Sequence, residues 1–174
     1  MYQKMSFRAP PPDNPPRLTL KKRPRTLSVA AILRDVGSEA GGNLGPSEAR
    51  RKAAHGLLLL WHDHWPEAHA IAQAHEGESD FDLLHALGHR REGDYANAIY
   101  WLNEAGNHPV YWRSGSRLGP MFAEDALLCR KLLPGDHWNP RGFVKAVEES
   151  PDHPLLRRVQ AEEFLAFFEY LLGP

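Results

Sequence analysis

His85 and His89 stand four residues apart, and Glu92 follows three further on. At about 100° per residue of α-helix, the two imidazoles lie one turn apart with Glu92 between them in azimuth. A pair at that spacing can chelate one divalent metal from a single helix face, and Glu92, Asp63, His64 or His69 could complete the shell. Without a metal, the same groups suit acid–base chemistry, because imidazole titrates near neutrality and Glu92 could orient its tautomer. Arg90 and Arg91 could hold an anionic substrate through paired N–H donors. His85, His89 and Glu92 are thus the catalytic candidates, with His85 and His89 the metal candidates. Asp63, His69, Arg90, Arg91, Asn97, Tyr100, Trp101 and His108 are the binding candidates. A structural reading competes with all of these. A buried polar network, with Arg91 paired to Asp63, Glu92 or Glu104, would lock helix packing and call for the same residue types.

Positioning these groups requires two helices. Phe81, Leu83, Leu84, Leu87 and Gly88 fill the arc beside the His/Glu stripe, so the stripe borders a buried face. Arg91 falls inside that apolar arc, where a guanidinium needs a carboxylate or several carbonyls. Gly93 suits a positive-φ helix end and Asp94 the next N-cap. Tyr95, Ala98, Ile99, Trp101, Leu102 and Ala105 then form one broad apolar face, and Gly106 closes the helix. Trp101, Leu102, Leu84 and Leu87 are expected where the two helices cross. His69 and Asn97 are the expected contributors to the cluster, beside a concavity lined by Trp101 or Trp112.

The spacing of Gly93, Asp94, Tyr95, Ala98, Leu102, Ala105 and Pro109 resembles the second helix of a tetratricopeptide-like repeat. His64-Trp65-x-x-Ala68-x-x-x-Ala72 echoes Asp94-Tyr95-x-x-Ala98-x-x-x-Leu102 with a period near 30, which suits stacked helix pairs. The longer run from WHDHWPEAHAIAQ to HALGHRREGDYANAIYWLNEAGNHP resembles a group of microbial proteins sharing the pattern H-R-R-E-x-D-x-x-N-A-x-Y-W…G-x-H-P. That resemblance covers about residues 53–112 and implies a helical fold. It implies no activity.

Composition narrows the class. A chain of 174 residues with 42% hydrophobic side chains is long enough for a sizeable core. A single cysteine, Cys129, excludes an internal disulfide and a cysteine zinc cage. No apolar run approaches the length of a membrane span, and the N-terminus lacks a secretory apolar region, so a cytoplasmic setting without a membrane partner is expected. The net charge of −1 conceals an asymmetry. Residues 1–25 carry Lys4, Arg8, Arg17, Lys21, Lys22, Arg23 and Arg25 against Asp13, and residues 9–17 are too rich in proline for helix. Basic and aromatic residues meet only at Tyr111-Trp112-Arg113, too short a run to argue for nucleic acid.

The chain also lacks several signatures. There is no phosphate-cradling glycine loop and no nucleophile elbow. Position 86 is Ala86, so the HExxH zinc-protease motif is absent. His62-Asp63 invites comparison with HD-type metal phosphohydrolases, but no histidine precedes His55 to supply their upstream ligand. Helical periodicity continues over residues 26–36, 47–61, 65–75, 121–133, 139–149 and 154–172, with a loop expected at 110–120. No period-2 stretch argues for a strand.

The fold expected is all-α, a bundle of helical hairpins of tetratricopeptide-like form with about six or seven helices. An extended basic arm over 1–25, adding little core, precedes a single helical domain over 26–174. The function expected is a binding or interaction module carrying a His/Glu/Arg cluster, with a protein or a small anionic ligand as partner and no cofactor. The alternative is a small hydrolase-like enzyme, metal-dependent or using histidine acid–base chemistry, centred on His85 and His89.

Overall fold

The computed structural model describes Leu18, residues 47–123 and residues 125–173. Among the described residues there are eight α-helices and no strand. The helices are α1 (Glu48–Trp61), α2 (Trp65–Gln73), α3 (Ser79–Glu92), α4 (Tyr95–Ala105), α5 (Val110–Leu118), α6 (Ala126–Leu132), α7 (Pro140–Glu149) and α8 (Pro154–Leu172). Short 3₁₀ turns at Gly119–Phe122 and Pro134–Asp136 flank α6. The helix expected over 26–36 and the arm over 1–25 lie outside the described residues, apart from Leu18.

Side chains placed to take up free backbone N–H groups begin most of these helices. Ser47, Asp94, Asp125 and Asn139 accept from the N–H three residues on and start α1, α4, α6 and α7. Pro66, Pro140 and Pro154 sit in first turns, where a missing N–H costs nothing. Gly93 ends α3 with φ 93°, which ordinary side chains avoid, and turns the chain directly into α4. The pair α3–α4 makes the most extensive helix contact in the molecule.

The principal core joins α1, α3, α4 and α8. Leu57–Trp61, Leu84, Leu87, Leu102, Phe164, Phe167 and Phe168 are all buried in it. Two glycines permit close approach. A Cβ on Gly56 would strike Leu84, so α1 lies directly on α3. A Cβ on Gly88 would strike the ring of Trp65, which fills the space that α3 leaves open. A second core gathers Leu118, Phe122, Leu132, Trp138, Phe143, Val147 and Val159. Leu18 is fully buried in that cluster, so at least one side chain of the segment expected to add little core is part of it.

The segment expected as a loop forms α5. Two serines and a glycine give it poor local propensity, and tertiary contacts override that. Gly115 admits the carbonyl of Asp136 where a Cβ would collide. Arg117 bonds Glu162 and Glu169 of α8. The expected helix over 121–133 is shorter, because residues up to Phe122 form a 3₁₀ turn and Asp125 restarts the chain as α6.

Candidate metal centre

Every residue of α3 from Phe81 to Arg91 is buried, so its polar side chains must find partners inside the protein. They do so on two sides. Arg91 donates to the carbonyl of Leu60 and to Asp63 Oδ1, the latter at 2.5 Å. It thereby closes the C-terminal end of α1, where unpaired carbonyls favour a cation. Asp63 itself takes φ 67°, a left-handed conformation uncommon for aspartate, and the ion pair holds it there. Arg90 reaches α8, donating to Glu163 Oε2 at 2.6 Å and to Gln160 at 3.3 Å. Glu163 also accepts from Trp138 Nε1 at 3.1 Å.

The other side of α3 holds the histidines. His69 from α2 joins His85 and His89, and one ring nitrogen from each lies within 4.8 Å of the other two. His85 is sandwiched against Trp101 of α4, with ring centroids 4.0 Å apart and nearly parallel planes. Trp65 meets His69 and His89 edge-on at 4.8 and 5.2 Å, in the space that Gly88 leaves. His89 Nδ1 is 3.2 Å from Glu92 Oε2, and its Nε2 is 3.4 Å from Asn97 Nδ2. His85 Nδ1 is buried without a hydrogen-bond partner.

Burial pushes the pKa of His85 down to about 4, and its neighbours His69 and His89 push the same way. Burial also lowers that of His89, against the opposing pull of Glu92. Burial thus biases His85 and His89 toward the neutral form, in which imidazole binds metals. Glu92 completes a carboxylate–histidine pair of the kind that fixes which nitrogen of a ligating histidine is free. A donor set of three imidazole nitrogens suits zinc, copper, nickel or cobalt, and not magnesium or calcium.

The structure thus brings together His69, His85, His89, Glu92, Asn97 and Trp101. Tyr100 stands at the rim, 52% exposed and edge-on to Trp101. The other candidates go elsewhere. Arg90, Arg91 and Asp63 are bound into ion pairs in the core, where they offer no fork to a substrate. His108 Nε2 lies 2.8 Å from Asp80, its Nδ1 accepts from the N–H of Val110, and its ring packs on Phe167 and Tyr170. Trp112 is exposed and touches His137. Sequence reasoning placed Trp65 only as a helix start. The available signal was Gly88, a residue without a side chain in an otherwise bulky buried face.

No family model matches this chain, and no solved structure matches it. A formimidoylglutamase of Aromatoleum aromaticum (strain DSM 19018 / LMG 30748 / EbN1) is 34% identical to it over 99 residues. That stretch is 57% of this chain and 27% of that protein, so the chain spans about a quarter of the length of the relative.

Proposed function

We propose that the protein is a helical binding module whose helices α2 and α3 hold one divalent transition-metal ion through His69, His85 and His89. The observation that carries this reading is the convergence of three ring nitrogens from two helices within 4.8 Å. Tetrahedral zinc at about 2.0–2.1 Å from each nitrogen needs them about 3.3 Å apart. Closing from within 4.8 Å to that spacing requires the rings to turn toward one another on binding. The orphaned nitrogen of His85 supports the same reading, since a buried unpaired acceptor costs about 1–3 kcal/mol until something binds it. The partial likeness to a formimidoylglutamase is too short to bring that enzyme's activity here.

Zinc titrated into metal-free protein should bind at one equivalent, measured by calorimetry. His69→Ala and His89→Ala should each remove the binding. His69 is the cleaner probe, because its partial exposure makes the truncation mild for folding. Failure of the unaltered protein to take up zinc, cobalt, nickel or copper sinks the proposal.

A second reading has its own observation. His89 already has a partner at both ring nitrogens, Glu92 and Asn97, as a member of a metal-free packing network would. The repeat-like succession of helix pairs from α1 to α4 fits a module that presents a surface to a protein partner in either case.

A further inference from the structure

Resting on the metal reading above, we infer that the ion keeps an open coordination position, and that this position takes a small anionic ligand. Among the described residues, no fourth histidine or cysteine stands with these three. The chain's ten histidines and Cys129 are all among the described residues, and none besides His69, His85 and His89 joins the cluster. Residues 1–46 contain no histidine or cysteine. A three-histidine set with a free position is the arrangement that exchanges ligands, whereas purely structural zinc sites are closed by four protein donors.

Charge fixes the class of that ligand. Three neutral imidazoles leave the ion's two positive charges uncompensated in its immediate shell. Glu92 and Asp94 are the carboxylates whose charge bears on His89, and neither belongs to the donor set. Glu92 is held 3.2 Å from His89 Nδ1, and the Asp94 side chain accepts from the backbone N–H of Asn97. Arg90 and Arg91 are bound into ion pairs and do not compete for an anion. Trp65 and Trp101 flank the imidazoles with apolar surface, which lowers the local dielectric and strengthens attraction between cation and anion. On the rim, the Asn97 amide lies 3.4 Å from His89 Nε2 and offers N–H donors to whatever occupies the open side.

The test uses the full chain loaded with cobalt(II), whose visible bands report coordination, and sodium azide as the anionic probe. Azide should shift and intensify the cobalt bands saturably, with one azide per cobalt. Asn97→Ala should weaken azide binding about five-fold, the loss of one hydrogen bond. Cobalt bands that appear but ignore azide overturn the open position while leaving the metal site standing. Azide binding undiminished in Asn97→Ala overturns its placement on the Asn97 side. A chain that develops no cobalt bands overturns the metal reading, and the inference with it.

Discussion

Helix α3 carries two polar clusters on its two sides, and they are finished to different degrees. On the arginine side the charges are met: Arg91 by Asp63 and a helix-end carbonyl, Arg90 by Glu163, with Gln160 and Trp138 bonded into the same set. Only Arg90 Nε lacks a partner there. On the histidine side three imidazole rings face one another, and a buried nitrogen of His85 is left over. A network that is nearly saturated can do little except hold helices together. A cluster with donor capacity remaining in the middle of a packed helix has room for a further bond. The difference is what separates the two sides, more than the number of polar residues on either.

The largest expected effect tests the arginine side. Arg91→Met leaves Asp63 charged and buried and frees the carbonyl of Leu60, so unfolding free energy should fall by about 3–5 kcal/mol in a denaturant titration. A loss below about 1 kcal/mol would mean that water reaches Asp63 and that the two sides differ less than the geometry says.

Gly88→Ala comes next. The added methyl must displace the Trp65 ring, and overpacking of this kind costs about 1–3 kcal/mol. Since Trp65 also flanks His69 and His89, the same substitution should weaken zinc binding. A stability loss with unchanged zinc affinity would separate the ring from the cluster.

How much of this was legible follows from what each side needs. The helices and their starts could be read because caps such as Ser47, Asp94 and Asn139 act within four residues. The His85–His89–Glu92 stripe could be read because helical azimuth is local. Arg91 could be seen to need an acid, and Asp63 was among the three acids named. Arg90 could not be resolved, because its partner lies 73 residues away on α8. Nor could α5 be read. Its stability comes from Arg117 on two α8 glutamates and from the fit of Gly115 against Asp136, contacts that leave no trace in local propensity. The placement of Leu18 in the second core is equally non-local.

The histidine side should respond in the opposite way to the arginine side. His89→Ala is expected to remove zinc binding while changing stability of the metal-free protein by less than about 1 kcal/mol, because Glu92 and Asn97 both reach solvent and can rehydrate. A cost of about 1–3 kcal/mol with zinc binding retained would identify the cluster as a second structural network and erase the contrast.

The last contrast is a pH dependence to which His85 contributes on the histidine side. In the unfolded chain His85 takes a proton near its ordinary pKa of 6.5, whereas in the folded protein burial beside His69 and His89 delays protonation to about 4. Between those values the unfolded state binds more protons, so stability rises with pH across the window and is lost as pH falls from about 6.5 to about 4. His55 and His89 shift in the same direction, and Asp82, whose pKa burial raises, works against them. Comparing the metal-free protein with His85→Gln isolates the contribution of His85, since the other groups remain in both. Melting temperature against pH should fall less steeply for the variant below pH 6.5. Parallel curves would mean that His85 is as free to take a proton folded as unfolded, and that the cluster is wetter than its burial implies. The arginines cannot produce such a slope, because guanidinium stays charged throughout the window.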